Sequence, residues 1–127
     1  MFSIDGIAYD GVLVSSLRRR FEIRDGQNSG TAQSGKTIRD ITGTYFAYEL
    51  TIDASLLTPD EYDSLYEVLT APVASHNVVF PYGQTTYQFE AEILDGSDDL
   101  ILCEPDYNHW EELTITFQAR KPNRVPT

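Results

Sequence analysis

Apolar and polar residues alternate with a period of two along much of the chain, the pattern of a half-buried β-strand. Three segments show it most clearly, namely residues 44–53, 85–94 and 111–119. Each presents one apolar face and one polar face. Because parallel strands covered on both faces carry continuous apolar runs instead, this alternation favours antiparallel pairing. The expected fold is mainly β, as an antiparallel β-sandwich or split barrel.

Shorter apolar segments, separated by turn residues, indicate further strands. They are residues 7–9, 12–23, 77–80 and 99–103. Turns are predicted at residues 25–26, 82–83 and 95–96, where glycine follows Asp or Tyr. The segment from Asp95 to Asp99 offers oxygen atoms to a cation, but it lacks the register and the closing Glu of a calcium-binding loop. A hairpin turn is therefore the expected structure there.

Residues 58–70 break the alternation and predict one short flanking α-helix. Thr58 is a suitable N-cap, Pro59 suits the first helical position, and Glu61 stands where it completes a capping box. Four apolar residues then recur at helical spacing and define a face that should pack on the sheet: Tyr62, Leu65, Tyr66 and Leu69.

The length of 127 residues predicts a single domain that spans residues 1–127. One long connection interrupts the strand pattern, at about residues 25–43, and it is rich in Gly, Ser, Thr, Asn and Gln. A compact domain seldom keeps so long a polar connection unless the connection acts outside the core. This loop is therefore a candidate for a functional segment.

The charge balance narrows the choice of partners. Nine basic and twenty acidic residues give a formal net charge of −11, which repels phosphate backbones and anionic lipids. Tight binding of nucleic acid and membrane association are not expected.

The single cysteine, Cys103, cannot form an intrachain disulfide, which fits assembly in a reducing cytoplasm. No cofactor and no catalytic site are predicted.

One stretch matches the phosphate-loop expression G-x-x-x-x-G-K-[ST] in full, from Gly30 to Thr37. A phosphate loop needs a buried parallel strand before it and a helix after it, because the helix N-terminus holds the phosphates. Polar residues precede this stretch, and an alternating strand follows it. A Gly- and Ser-rich surface loop is the preferred interpretation, and nucleotide binding is the alternative.

Other candidate residues have structural explanations. Strand alternation places Arg19 on the face opposite Arg18 and Arg20, so these three arginines predict ion pairs within or between subunits rather than a polyanion site. His76 and His109 lack metal-type spacing and are expected near the surface or in turns. Cys103 is expected to behave as a small hydrophobic residue, and Trp110 as a core anchor.

The order and spacing of the strands, helix and turns resemble the tail-tube-like domain of tailed-bacteriophage distal tail and related tail proteins. The resemblance covers nearly the whole chain. It rests on the order and spacing of the strands, the helix and the turns between them rather than on a catalytic motif. The segments that carry it are residues 7–11, 20–23, 39–43, 48–53, 62–69, 79–82 and 113–122.

This resemblance implies a virion structural protein whose copies form a homo-oligomeric ring, commonly a hexamer, stacked around a channel for DNA. Other tail or baseplate proteins would be its neighbours, and DNA would pass as non-specific cargo. It also implies a place in the virion tail, after assembly in the cytoplasm of the host bacterium. The chain lacks the second domain of many distal tail proteins, so tail tube, distal tail ring and minor tail component all stay open.

Two hypotheses of different class follow. In the first, the protein is a ring subunit in which the long loop serves as an assembly arm and Arg18, Arg19 and Arg20 form intersubunit ion pairs. The second is a monomeric β-sandwich module that binds carbohydrate or peptide through aromatic residues at its loop tips. Oligomeric state distinguishes the two. The candidate residues of the assembly arm are Asp25, Asn28, Gly30, Gly35, Lys36, Arg39 and Gly43.

Overall fold

The computed structural model describes residues 2–9, 13–26, 30–31, 37–38, 40–53 and 57–126. These residues form nine strands and one helix. In chain order the elements are β1 (Ser3–Ile4), β2 (Ile7–Ala8), β3 (Leu13–Asp25), β4 (Gly30–Thr31), β5 (Thr37–Ile38), β6 (Ile41–Asp53), α1 (Pro59–Thr70), β7 (His76–Tyr82), β8 (Thr85–Glu104) and β9 (Tyr107–Ala119).

Seven of these strands form one antiparallel sheet in the order β2-β1-β7-β8-β9-β6-β3. The sheet is not closed into a barrel, and β4 and β5 form a separate two-stranded sheet. The predicted mainly-β, antiparallel fold with one helix is confirmed. Since β3 ends the strand order, it is an edge strand of 13 residues.

The sheet is strongly curled around its core. Strands β6 and β7 are separated in the sheet by β9 and β8, and three strand spacings on a flat sheet would place them about 14 Å apart. The rings of Tyr48 on β6 and Phe80 on β7 are nevertheless stacked with centroids 4.5 Å apart. The Tyr48 hydroxyl also donates to the Pro81 carbonyl oxygen at 3.2 Å. The core therefore lies on the concave face of the sheet.

The alternation in the sequence correctly predicts which faces are buried in β6 and β9. Alternate residues on the concave face are buried, whereas their neighbours are more exposed. Burial of such apolar side chains is the main favourable term in folding. The residues in question are Tyr48, Leu50 and Ile52 on β6 and Leu113, Ile115, Phe117 and Ala119 on β9.

Helix α1 begins as predicted. Thr58 accepts a hydrogen bond from the Glu61 N–H, and the Glu61 carboxylate accepts one from the Thr58 N–H, so the capping box is complete. Tyr62, Leu65 and Leu69 are buried in the core. The prediction for Tyr66 is wrong, because this side chain is 42% exposed while its neighbours hold the core face.

Two tight turns join neighbouring strands. Asp5 and Gly6 both have positive φ angles and connect β1 to β2, as a two-residue type I′ hairpin requires. The turn predicted at Tyr82-Gly83 is confirmed, since Tyr82 pairs with Thr85 across Gly83, whose φ is +56°. The turn at residues 25–26 is wrong, because β3 continues to pair with β6 through Asp25.

The hairpin turn predicted from Asp95 to Asp99 is also wrong. These residues lie inside β8, which runs unbroken for 20 residues to Glu104. The pairing of β8 with β9 shifts register between Ile93 and Asp95 and again between Ser97 and Asp99. Bulges of this kind accept the same flexible and polar residues that turns accept, which explains the misassignment.

The predicted loop at residues 25–43 is shorter than the sequence suggests. Strand β3 extends to Asp25, β6 begins at Ile41, and β4 and β5 pair with each other between them. Gly43 lies within β6 and is buried. A Cβ atom on it would lie 2.6 Å from the Pro122 side chain and 2.7 Å from the Arg124 carbonyl oxygen. Gly43 is therefore required for the C-terminal segment to pack on β6.

Candidate functional site

The end of the β8–β9 hairpin extends beyond its neighbours in the sheet. Strand β7 pairs with β8 only as far as Ala91, and β6 pairs with β9 only from Leu113 onward. Residues 99–111 therefore pair only with one another in the strand pairing of the described chain. We call this segment the hairpin tip. A two-stranded ribbon has little stability by itself, so such an extension normally packs on something.

The hairpin tip exposes a concentration of apolar side chains. Cys103, whose thiol is free, is exposed as well. Trp110 is 36% exposed, so it is not the core anchor that the sequence predicts. A run of apolar residues indicates burial only where other elements cover it, and the tip extends past them. The other exposed large side chains of the tip are Leu100, Ile101, Leu102 and Tyr107.

One face of β9 carries a chain of polar contacts that the sequence analysis missed. The Glu111 carboxylate lies 2.7 Å from Nε2 of His109, so this nitrogen donates to the carboxylate. The Tyr107 hydroxyl lies within hydrogen-bond distance of Nδ1 of the same ring, at 3.1 Å. The spacing Tyr-x-His-x-Glu at a period of two is the signal that would have revealed it. These contacts order the aromatic side chains of the hairpin tip.

A cavity of about 310 Å³ lies between the tip and the N-terminus of α1. At its edge the Tyr62 hydroxyl donates to the Asp98 carboxylate at 2.7 Å. Burial and this hydrogen bond raise the pKa of Tyr62 far above its ordinary value. The contact ties α1 to the base of the hairpin. The cavity is lined by Leu57, Thr58, Pro59, Tyr62, Asp63, Asp106, Tyr107, Asn108, His109 and Trp110.

The second exposed surface is the β3 edge, which we define as residues 17–24. Register with β6 pairs Phe21 with Phe46 and Arg19 with Tyr48, so these side chains share the concave face. Phe21 is nevertheless 73% exposed, because nothing among the described residues covers the face at this edge. Leu17 and Ile23 are also exposed. Long exposed edge strands are templates for pairing with another chain.

The three predicted arginines of this edge divide between two faces, as the alternation indicates. Arg18 and Arg20 both reach the Glu49 carboxylate, at 3.9 and 2.6 Å, and Arg19 lies over the Tyr82 ring at 5.4 Å. Within the part of the chain that the structure describes, two guanidinium groups thus share one carboxylate, which gives this group of three side chains a formal charge of +1. The contacts of these three arginines lie within one chain. Ion pairs between subunits remain a prediction.

The predicted exposure is wrong for one of the two histidines, His76. His76 is buried, not on the surface, and its Nδ1 lies 2.6 Å from the Asp5 carboxylate. Partial burial acts to raise the pKa of Asp5, but hydrogen bonds from His76 and from the Asn77 N–H lower it overall. Because an ionised carboxylate only accepts, Nδ1 must carry the proton. This pair fixes β1 against β7.

The residues proposed for an assembly arm are only partly described. Asn28, Gly35, Lys36 and Arg39 lie outside the described residues. Gly30 pairs in β4, Asp25 pairs at the end of β3, and Gly43 belongs to the buried part of β6. Thr37 and Ile38 form β5, so the described residues that follow Thr37 lack the helix that a phosphate loop needs.

Two searches of the described residues gave negative results. No group of three or more His, Cys, Asp and Glu side chains in this part of the chain is arranged to hold a metal ion. No helix within the same residues is long and apolar enough to cross a membrane.

Comparisons of the chain with protein-family models, with curated proteins and with solved structures found no significant match.

Proposed function

We propose that this protein is a structural subunit that assembles with copies of itself. The observation that carries the proposal is the concentration of exposed apolar side chains on two separate surfaces, the hairpin tip and the β3 edge. Monomeric proteins rarely leave large contiguous apolar patches in water, and exposed edge strands are normally protected. Both surfaces fit burial against a neighbouring subunit.

The specific role proposed is that of a tailed-bacteriophage tail component: a tail tube, distal tail or minor tail protein whose rings surround the DNA channel. The mainly-β fold with one flanking helix is compatible with the resemblance in the sequence. The net charge of −11 also suits a channel, because phosphate binding depends on Lys and Arg, and a scarcity of them lets DNA pass. Neighbouring tail or baseplate proteins would be further partners.

The segment between Gly26 and Asp40 is proposed as an assembly arm of the same subunit. The ladder between β3 and β6 ends at Asp25 and Ile41, and the Gly26 N–H donates to the Asp40 carbonyl oxygen just beyond it. The main sheet is thus complete without the segment, whose strands β4 and β5 belong to a separate sheet. An extension of this kind suits contact with another subunit.

A monomeric carbohydrate- or peptide-binding module is the second candidate. The cavity beside α1 favours it, because aromatic rings with adjacent polar groups are typical of ligand sites. Trp110 and Tyr107 supply the rings, and Asp63 and Asp106 supply carboxylates. In this alternative the aromatic side chains of the hairpin tip would contact ligand rather than a neighbouring subunit.

Oligomeric state separates the two candidates. Purified protein is measured by light scattering during gel filtration and viewed by negative-stain electron microscopy, over a series of protein concentrations. Rings or tubes of regular diameter are expected. A mass of 14.3 kDa at every concentration would contradict self-assembly. Binding of glycans or peptides that is lost in Trp110→Ala, in a chain that stays monomeric, would support the alternative.

A further inference from the structure

The hairpin tip and the β3 edge carry opposite charges. The tip contains four acidic residues, Asp99, Glu104, Asp106 and Glu111, and no Lys or Arg, which gives a formal charge of −4. The β3 edge contains four arginines and one glutamate, and the Glu49 carboxylate of β6 lies against Arg18 and Arg20, which leaves a formal charge of +2. This edge holds four of the nine basic residues of an otherwise acidic chain. The two surfaces are complementary both in charge and in exposed apolar area.

We infer that the hairpin tip of one subunit docks on the β3 edge of a second copy of this chain. The inference rests on the proposed function, and it specifies which surfaces meet. A second copy is the occupant that the sequence itself provides, because the same chain carries both halves of the complementary pair. Complementary potentials of this kind set the register and speed the encounter of two surfaces.

The β3 edge offers a place for an apolar side chain. A cavity of about 280 Å³ opens there, where the concave face of the curled sheet is uncovered. Aromatic walls suit an aliphatic side chain, and the Arg19 guanidinium, which lies over the Tyr82 ring, suits a carboxylate. Its lining residues are Arg19, Arg20, Phe21, Phe46, Tyr48 and Tyr82.

The hairpin tip offers matching groups. Leu100, Ile101 and Leu102 are consecutive and exposed, and they lie between Asp99 and Glu104, each within four residues of both. An apolar anchor flanked by carboxylates can therefore enter the cavity while its charges meet Arg19 at the cavity and the other arginines of the β3 edge. Burial of the apolar residues would supply the affinity, whereas the charges would select the partner surface.

Because the two surfaces differ, the contact is heterologous. Each subunit uses its tip on one neighbour and its edge on the other, so the contact propagates from copy to copy. Such a chain of contacts closes into a ring when the rotation per subunit allows it, and otherwise extends as a filament. A two-fold dimer, in which the same surface meets itself, is not expected.

Two single substitutions test the contact at sites that are already exposed. Phe21→Asp places a negative charge on the β3 edge, and Leu102→Lys places a positive charge on the hairpin tip. Phe21 is 73% and Leu102 50% exposed, so neither change should alter folding much. Val73→Asp and Val73→Lys are the matched controls, because Val73 is 55% exposed in the connection between α1 and β7.

Each variant alone is expected to associate at least about tenfold more weakly than the wild-type chain in sedimentation velocity runs. The Val73 controls are expected to assemble normally. An equimolar mixture of the two variants should give a heterodimer and nothing larger. One intact tip from the Phe21→Asp chain then meets one intact edge from the Leu102→Lys chain. The two altered surfaces carry opposite charges but have each lost an apolar residue, and apolar burial is what supplies the affinity of the contact.

The outcomes distinguish a failure of this inference from a failure of the proposed function. A wild-type chain that stays monomeric overturns the proposed function as well as this inference. Wild-type rings that persist in both variants overturn the inference alone and leave self-assembly standing. If both variants are monomeric but their mixture forms no heterodimer, the tip and the edge do not bind each other, and the inference also fails.

Discussion

Gly43 shows how one residue joins distant parts of the chain. The C-terminal segment runs close to β6, where the Thr44 N–H donates to the Arg124 carbonyl oxygen at 2.9 Å and the Asn123 N–H donates to the Thr44 carbonyl oxygen at 2.8 Å. Only a residue without a Cβ atom permits so close an approach. From the sequence alone Gly43 is predicted to lie in a loop, because glycine usually indicates a turn.

Gly43→Ala is expected to lower the free energy of unfolding by about 2 kcal/mol or more, since the new Cβ atom would overlap backbone and a proline ring. Gly83→Ala is the matched control, because Gly83 also has a positive φ but has open space around it. Its cost should be about 1 kcal/mol, from backbone strain alone. Urea unfolding of both variants measures the difference. Equal losses would mean that the close approach is unimportant.

The carboxylate of Asp5 gives a pH dependence of known sign. Its pKa is lowered in the folded protein, so its contribution is present above the unfolded pKa and is lost as the pH falls through the folded value. Asp5→Asn keeps the positive φ and one acceptor oxygen. We expect this variant to be less stable by up to about 1 kcal/mol at neutral pH, because solvent screens a side chain that is 43% exposed.

That stability difference should shrink as the pH falls below about 4, where the wild-type carboxyl group also becomes neutral. Urea unfolding curves at several pH values measure it. Glu67→Gln on the exposed face of α1 controls for the loss of one negative charge. A difference between Asp5→Asn and wild type that stays constant down to strong acid would show that the ionised form of Asp5 contributes nothing.

Helix α1 was predictable because its signals are local. The cap at Thr58, the proline at the first position and the apolar spacing all occur within 13 residues, and each has a direct physical cause. Tyr66 was misplaced because spacing defines the width of an apolar face but not how much of it the sheet covers. Val68, on the other flank, packs against the core instead.

Leu65→Ala is expected to lower the free energy of unfolding by about 2 to 5 kcal/mol, because Leu65 is fully buried in the core cluster and its truncation leaves a cavity. Tyr66→Ala, one residue further along the same helix, should cost less than about 1 kcal/mol, because its ring is partly exposed. Thermal and urea unfolding compare the two. A loss below about 1 kcal/mol for Leu65→Ala would mean that α1 is peripheral.

The strands β6 and β9 were predictable for a different reason. A strand with one wet face must alternate, and a one-residue slip would expose its whole apolar set, so the pattern fixes the buried face. Alternation does not predict the exposure of the hairpin tip. Leu100, Ile101 and Leu102 form a continuous apolar run that the sequence alone cannot distinguish from a strand buried on both faces. Their exposure depends on how far neighbouring strands extend.

The curl of the sheet is a property of the whole molecule and has no local signal. The stack between Tyr48 and Phe80 joins residues 32 positions apart and brings together strands that are not neighbours in the sheet. Alternation predicts that both rings face inward, but strand order and twist decide whether they meet. For the same reason, the sequence contains the basic residues of the β3 edge and the acidic residues of the hairpin tip, but it does not show that each segment forms an exposed surface.

Replacing residues 27–39 by Asn-Gly tests whether the assembly arm is separable from the fold. The ladder between β3 and β6 ends at Asp25 and Ile41, a hydrogen bond joins Gly26 to Asp40 just beyond it, and Asn-Gly is the preferred two-residue connection for such a pair of strands. The free energy of unfolding of the monomer should change by about 1 kcal/mol or less, because loop-closure entropy depends only weakly on length. Assembly beyond the monomer should fail in light scattering and electron microscopy. Rings or tubes at the wild-type yield would show that the segment is not an assembly arm, whereas an unfolded monomer would show that it belongs to the core.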